Sequence, residues 1–239
     1  MRKIVAIGGG ELRNLETLPI DKEIVKLTGK KHPKALIIPT ASNDSGKYWE
    51  TFKNVYGKKL GCKTRVLYLI KEKPTKNQIK EGILSSDLIY IGGGDTKKML
   101  KVWRKLNVDK ILKMAYDKGI VLSGISAGSY CWFEKSISSS KERVYNGLGL
   151  IKKLSNVCHY PKDEKKKKII WKNFRKVNLP TIALENCTAL EIVGDEYRII
   201  TSKKRAKAYR LYNSGKKLIK EKITQTNSFK PLADLLFKR

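Results

Sequence analysis

The chain has 239 residues, of which 41% are hydrophobic and 8% aromatic, a composition that supports a packed core and excludes a disordered chain. Lys and Arg number 52 against 22 Asp and Glu, which gives a formal net charge of +30. Because the lysines are spread along the whole chain, we attribute most of this charge to a solvated surface and do not expect nucleic-acid binding. A dense run, residues 165–168, is left open as a binding feature.

Apolar runs such as residues 35–38 are strand-sized and too short to cross a bilayer. The apolar residues 4–7 are cut off by glycines, so they do not form a secretory signal. We therefore expect a cytoplasmic protein without membrane association. No C-x-x-C pair or zinc-ligand spacing occurs, so we expect no metal, no cofactor and four reduced thiols, at Cys62, Cys131, Cys158 and Cys187.

Apolar runs alternate with helical patterns through the first two thirds of the chain, which predicts β-α-β units and a mostly parallel sheet in one α/β domain, residues 1–239. Thr75 and Gln78 form the pattern of a capping box at the start of one helix. The predicted strands are residues 3–7, 34–38, 64–69, 88–91 and 120–122. The predicted helices are residues 47–60, 75–84, 96–106, 109–118 and 163–177.

The last third of the chain has a different pattern, with short apolar runs separated by turn signals such as Gly194-Asp195. This pattern predicts antiparallel hairpins attached to the parallel sheet. The predicted strands are residues 181–184, 189–193, 197–201, 208–212 and 217–220. A closing helix is predicted within residues 224–239, around Leu232, Leu235, Leu236 and Phe237.

The sequence Gly124-Ile-Ser126-Ala-Gly128 follows an apolar strand and precedes a helical pattern. A G-x-S-x-G sequence in this context is typical of a nucleophile elbow, where the glycines allow a sharp strand-to-helix turn. The serine then lies above the carboxyl edge of the sheet, at a helix N-terminus that favours developing negative charge. Ser126 is therefore the predicted nucleophile.

A second strand runs into Gly92-Gly93-Gly94 and then into a helix. The loop lacks the glycine register of a dinucleotide site and the Lys-Ser pair of a P-loop, so an oxyanion hole is a better interpretation than a phosphate cradle. We predict that the amide of Gly93 or Gly94 acts together with that of Ala127. The earlier triplet, residues 8–10, is interpreted as structural or as a pocket wall.

A serine nucleophile needs a base, and the chain contains two histidines. His32 precedes a strand and lies at its amino end, which is the wrong edge for ligand chemistry in an open α/β sheet. His159 can lie at the carboxyl edge and is the predicted base. For the carboxylate that orients the imidazole we choose Glu185, at the end of a predicted strand, over the alternatives Glu191 and Asp195.

The motifs Ile91-Gly-Gly-Gly-Asp-Thr96, Gly124-Ile-Ser-Ala-Gly-Ser129, Cys158-His-Tyr160 and Ala183-Leu-Glu-Asn-Cys-Thr-Ala-Leu190 resemble those of the α-aspartyl dipeptidase (peptidase E) and cyanophycinase family of serine peptidases. The resemblance spans nearly the whole chain. It implies a class I glutamine amidotransferase-like fold, a three-layer α/β sandwich with a mostly parallel central sheet and C-terminal antiparallel hairpins.

The same resemblance implies a triad of Ser126, His159 and Glu185, an oxyanion donor near Gly93, and hydrolysis of a peptide bond through an acyl-enzyme without a metal. The expected partner is a short peptide substrate that can carry an acidic residue, with Tyr160 and Arg175 as substrate-binding candidates. We expect a monomer or a homodimer.

Three alternatives stay open from the residues alone. The first is an amidase or esterase that acts on another carbonyl substrate. The second is a catalytically inactive, basic relative that binds nucleic acid, and the third is an inactive structural relative. The absence of recognisable motifs between residues 136 and 156 leaves the choice of substrate open.

Overall fold

The computed structural model of the chain describes residues 1–215 and 217–236. Its strands form two mixed sheets, and helices cover their faces. The strands are β1 (Lys3–Ile7), β2 (Lys34–Ile38), β3 (Lys63–Val66), β4 (Leu88–Ile91), β5 (Val121–Ile125), β6 (Phe133–Ile137), β7 (Val144–Asn146), β8 (Ile151–Val157), β9 (Thr181–Leu184), β10 (Thr188–Val193), β11 (Glu196–Thr201), β12 (Ala208–Ser214), β13 (Lys217–Ile223) and β14 (Lys230–Pro231).

The α-helices are α1 (Leu18–Lys26), α2 (Gly46–Phe52), α3 (Lys76–Leu84), α4 (Thr96–Leu106), α5 (Val108–Asp117), α6 (Ala127–Tyr130) and α7 (Glu164–Phe174). Short 3₁₀ segments occur at Leu12–Asn14, Thr40–Ser42 and Leu232–Leu235, and a π-helix at Lys53–Lys59 continues α2. No helix within residues 1–215 and 217–236 combines the length and apolar character needed to cross a bilayer.

The first sheet has the strand order β14-β11-β10-β1-β5-β4-β2-β3. The neighbouring strands of the run β1-β5-β4-β2-β3 pair in parallel, as the alternation of apolar runs and helices predicts. The hairpin of β10 and β11 adds antiparallel to β1. The carboxyl ends of β1, β4 and β5 therefore lie side by side, and the loops that follow them can meet.

The second sheet has the order β13-β12-β9-β8-β6-β7, with β8 parallel to both β6 and β9. The sequence pattern did not predict β6, β7 or β8. Strand β8 alternates poorly, because its exposed Lys152 and Lys153 are followed by the buried polar residues Ser155 and Asn156. The predicted hairpin of β12 and β13 belongs to this sheet rather than to the first.

Three apolar clusters hold these layers together. One packs α1, α2 and the π-helix on one face of the first sheet. A second packs α3 to α6 and one face of the second sheet on the opposite face of the first sheet. The third packs α7 against the other face of the second sheet. The chain thus stacks its elements in layers, and burial of their apolar faces is the main stabilising contribution.

Several predicted elements match the structure closely. Strands β1, β2, β4 and β9 and helix α4 have the predicted bounds, and Thr75 and Gln78 form the predicted capping box. The helix predicted for residues 47–60 changes from α to π geometry at Lys53. Within the predicted closing helix, Pro231 belongs to β14 and residues 232–235 form a 3₁₀ turn, while Phe237 lies outside the described residues.

Asp21 of α1 is a fully buried carboxylate that links α1 to the π-helix on one face of the first sheet. It accepts hydrogen bonds from the Thr17 hydroxyl and from the Tyr56 hydroxyl, each at 2.8 Å. Burial raises its pKa from 3.8 to about 7, although these two hydrogen bonds oppose the rise. Between those two pH values the unfolded chain releases a proton that the folded chain keeps, so stability is lost as the pH rises.

Asp21→Asn removes this titration and leaves a side chain of nearly the same shape. At pH 8 we expect the variant to be more stable than the parent by about 2–4 kcal/mol. The difference should shrink towards pH 4, where the parent carboxyl is protonated in the folded state. Urea denaturation of both proteins at the two pH values measures the effect, and parallel pH profiles would contradict it.

Candidate active site

Ser126 lies at the turn between β5 and α6, with the unusual backbone angles φ 54° and ψ −109°. The two glycines of its motif make this turn possible. A Cβ atom at Gly124 would overlap the backbone of Gly128, and a Cβ atom at Gly128 would overlap the carbonyl of Ile91 on β4. The glycines therefore let the turn pack directly on the sheet, and the serine is held in a strained, half-exposed position typical of a nucleophile elbow.

His159 follows β8 and meets Ser126 across the gap between the two sheets. Its Nε2 atom lies 2.9 Å from the Ser126 hydroxyl, which is hydrogen-bonding distance. Its Nδ1 atom lies 2.7 Å from the side-chain oxygen of Asn186. Because that oxygen accepts a hydrogen bond, Nδ1 carries the proton and the lone pair of Nε2 faces the serine hydroxyl. This is the tautomer that a general base requires.

The residue that contacts Nδ1 is therefore Asn186, where the sequence prediction placed Glu185. The Glu185 carboxylate instead accepts hydrogen bonds from the Lys207 backbone N–H at 3.0 Å and from the Tyr209 hydroxyl at 3.4 Å. The two residues are consecutive in the turn between β9 and β10, and this turn directs the Asn186 side chain to the imidazole and the Glu185 side chain to Lys207 and Tyr209. The motif that suggested Glu185 contained the asparagine one position later.

The end of β1 and the glycines that follow it form backbone hydrogen bonds to the three segments of the site. The carbonyl of Ile7 accepts a hydrogen bond from the Ser126 N–H, and that of Gly8 accepts one from the His159 N–H. The carbonyl of Gly9 accepts one from Cys187, the residue after Asn186. A Cβ atom at Gly9 would overlap both His159 Nδ1 and the Asn186 side chain. The first glycine triplet is thus a wall beneath the His–Asn pair, and a side chain there would separate the pair.

The predicted oxyanion loop lies beside the serine. A Cβ atom at Gly93 would lie 3.5 Å from Ser126 Cβ, so the loop and the nucleophile are neighbours. The Gly93 N–H donates to the Tyr48 hydroxyl at 3.3 Å. Within the hydrogen bonds of the described residues, the N–H groups of Gly94 and Ala127 have no acceptor. These two amides are the candidate donors to an oxyanion, whereas that of Gly93 is already paired.

Two cavities open on the Ser126–His159 pair. The larger, of about 870 Å³, is bounded by the segments 10–13 and 45–51 and by the glycine loop. Its charged side chains balance, with Glu11 and Glu50 against Arg13 and Lys47. The smaller, of about 330 Å³, is bounded by residues 138–141, with Arg143, Asp95 and two tyrosines. Both could receive parts of a substrate on either side of the reacting serine.

The predicted substrate-binding residues lie away from both cavities. Tyr160 is buried against the Tyr209 ring, with 5.4 Å between ring centroids, in the apolar cluster beneath α7. Arg175 is exposed at the C-terminal end of α7. His32, which was rejected as the base because it precedes a strand, is exposed just before β2, with Nδ1 2.9 Å from the Gly61 carbonyl.

The four cysteines are buried and unpaired. Among the residues that the structure describes, no group of three His, Cys, Asp or Glu side chains is close enough to hold a metal ion.

Gly9→Ala tests the wall beneath the His–Asn pair. The added methyl group must displace His159 or Asn186, so we expect loss of at least about 100-fold in catalytic rate, the scale of general-base catalysis. Gly29→Ala is the matched control, since Gly29 also has a positive φ, 67°, but open space around its Cβ position. The control separates backbone strain from overlap. Equal activity of the two variants, with both folded by circular dichroism, would contradict this function of Gly9.

Comparisons with known proteins identify the family and the fold. The family model described as Peptidase family S51 matches residues 4–200. The chain is 30% identical over 217 residues to the "Uncharacterized peptidase YgaJ" of Bacillus subtilis (strain 168), covering 88% of this chain and 92% of that protein. A solved peptidase from an acI-B1 Actinobacterium superposes with a TM-score of 0.76 at 20% identity, over 97% of both chains. A putative peptidase E protein from Listeria monocytogenes EGD-e superposes with a TM-score of 0.64 at 20% identity, over 84% of this chain and 98% of that one.

The solved structures confirm the predicted α/β sandwich. The matched range, residues 4–200, spans the segments that contain Ser126, His159 and Asn186. The family match, together with the similarity to a peptidase over most of both chains, confirms the resemblance noted from the motifs. The chain belongs to peptidase family S51, a family of serine peptidases.

Proposed function

We propose that the protein hydrolyses a peptide bond of short peptides through an acyl-enzyme on Ser126. The observation that carries the proposal is the continuous hydrogen-bonded chain from the Ser126 hydroxyl to His159 and from His159 to Asn186. The Ser126 end of this hydrogen-bonded chain lies in a cavity of about 870 Å³. The neighbouring amides of Gly94 and Ala127 have no acceptor among the hydrogen bonds of the described residues.

The reaction follows from these positions. His159 Nε2 takes the Ser126 proton as the hydroxyl oxygen attacks the scissile carbonyl carbon. The amides of Gly94 and Ala127 stabilise the negative carbonyl oxygen. The imidazolium then gives its proton to the leaving amine, the C–N bond breaks, and an ester to Ser126 remains. A water molecule, activated by His159 in the same way, hydrolyses the ester and restores the serine.

Asn186 differs from a carboxylate in one respect that matters for the rate. Its amide oxygen fixes the imidazole tautomer and ring orientation, but it has no net charge to offset the imidazolium that forms in the transition state. We therefore assign Asn186 an orienting function. The Glu185 carboxylate is engaged by Lys207 and Tyr209, so it supports the loop that follows Ser202 rather than the imidazole.

The smaller cavity supports a substrate with an acidic residue. Its charged side chains are Lys141 and Arg143 against Asp95, so its net charge is positive. The Asn173 side chain, fully buried in α7, donates to the Lys141 carbonyl at 2.9 Å and anchors this basic loop to α7. A carboxylate side chain of a peptide would be attracted to this cavity, whereas a basic side chain would be repelled.

The function is tested with a panel of dipeptides and tripeptides that carry aspartate, asparagine or lysine at each position, together with matched amides and esters. We expect hydrolysis of the aspartyl peptides, and a loss of about 10⁴-fold or more in Ser126→Ala. Preferential cleavage of simple esters or amides would favour the amidase or esterase alternative. Full peptidase activity in Ser126→Ala would refute the mechanism.

Asn186→Ala and Glu185→Gln form a pair that tests the corrected third residue. We expect the first variant to lose about 100-fold in kcat, because the imidazole loses the acceptor that fixes its tautomer. Glu185→Gln keeps an acceptor oxygen for Lys207 and should stay within about threefold of the parent, since a surface change of this kind is a small perturbation. Steady-state kinetics on one aspartyl peptide measures both, and the reverse ranking would return the orienting function to Glu185.

A further inference from the structure

Tyr48, in α2, lies flat on the glycine loop beside the nucleophile. A Cβ atom at Gly92 would be 2.7 Å from the Tyr48 ring, so the ring covers this glycine directly. The Tyr48 hydroxyl accepts the hydrogen bond from the Gly93 N–H at 3.3 Å. The same ring borders the larger cavity, which also contains Ser126 and His159. In the sequence, Tyr48 falls within residues 47–60, which are predicted as a helix, and no local motif marks it as a site residue.

A tyrosine hydroxyl has one proton to donate as well as lone pairs that accept. At Tyr48 one lone pair is taken by the Gly93 amide, and the buried Tyr90 hydroxyl interacts with the same oxygen and lowers the pKa of Tyr48, as a hydrogen-bond donor does. Both neighbours act as donors, which leaves the Tyr48 hydroxyl proton for a third partner. An acceptor arises at this place during the reaction, when the scissile carbonyl oxygen becomes negative beside Ser126. Hydrogen bonds in a chain polarise one another, so the amide behind the hydroxyl strengthens its donation.

We propose that Tyr48 is a further catalytic residue, an inference that rests on the proposed peptidase function. Its hydroxyl, held by the Gly93 amide, donates a hydrogen bond to the oxyanion. Gly93 then acts through Tyr48, while Gly94 and Ala127 donate directly. No bond is made or broken at Tyr48, and the hydroxyl keeps its proton throughout. The interaction is stronger in the transition state than with the neutral carbonyl, so it raises kcat rather than lowering KM.

The surroundings of Tyr48 hold the ring in place. The Ser45 hydroxyl caps α2 by accepting from the Tyr48 N–H at 3.3 Å. Its ring packs against the apolar cluster that contains the buried rings of Phe52, Tyr56 and Tyr90. Burial raises the pKa of Tyr48 to about 12, so the hydroxyl stays protonated and able to donate across the neutral range.

Tyr48→Phe is the test, because it removes the hydroxyl and keeps the ring on Gly92. We expect kcat for an aspartyl peptide to fall about 100-fold with KM nearly unchanged, the scale of losing one oxyanion donor. A peptide aldehyde, which forms a tetrahedral adduct with a serine hydroxyl, should bind more weakly by about the same factor. Tyr68→Phe is the matched control, since Tyr68 is half-buried and borders neither cavity.

Two further results would overturn the proposal. Unchanged or increased kcat in Tyr48→Phe would mean that the hydroxyl merely fills the oxyanion position in the free protein. Equal losses in Tyr48→Phe and Tyr68→Phe would mean a general effect on stability. Ser126→Ala is measured in parallel: if it is inactive while Tyr48→Phe is fully active, only the assignment of Tyr48 fails, whereas an active Ser126→Ala would refute the peptidase mechanism itself.

Discussion

Three backbone hydrogen bonds from the end of β1 determine the arrangement of the site. The consecutive carbonyls of Ile7, Gly8 and Gly9 accept from Ser126, His159 and Cys187, which belong to three loops distant in sequence. These loops come from both sheets, so the bonds also fix one sheet relative to the other at the site. Because the three acceptors are consecutive at the buried end of β1, Ser126, His159 and the segment of Asn186 have fixed relative positions before any substrate binds.

The same contacts explain why strained residues persist there. Ser126, His159 and Cys187 all have a positive φ. For a residue other than glycine, this backbone conformation costs about 1–3 kcal/mol. Strain of this size is offset by the buried core of β1 and by the glycines, which let the loops approach without overlap. The strain is concentrated where a hydroxyl and an imidazole must meet, which is where function requires pre-organisation.

The parts of the site that depend on local sequence could be predicted. A strand followed by Gly-x-Ser-x-Gly and a helix allows few conformations, so Ser126 was identified from its own neighbours, and His159 from the scarcity of alternatives. Asn186 could not be separated from Glu185, because the two are consecutive in the turn between β9 and β10, and the conformation of that turn decides which side chain faces the imidazole. Tyr48 and the second sheet depend on contacts between distant segments, and strand β8, with its buried Ser155 and Asn156, lacks the apolar alternation that marks a strand. In these cases tertiary pairing, rather than local pattern, decides the structure.

The central claim is that Ser126 attacks a carbonyl whose oxygen enters the pocket formed by the two glycine-containing loops. A crystal structure of the protein after reaction with a peptidyl phosphonate tests it most directly, because the tetrahedral phosphorus imitates the transition state. The account predicts phosphorus bonded to Ser126 Oγ, with one phosphonyl oxygen within hydrogen-bonding distance of the amides of Gly94 and Ala127. Phosphorus on another residue, or an oxygen that points away from these amides, would contradict it.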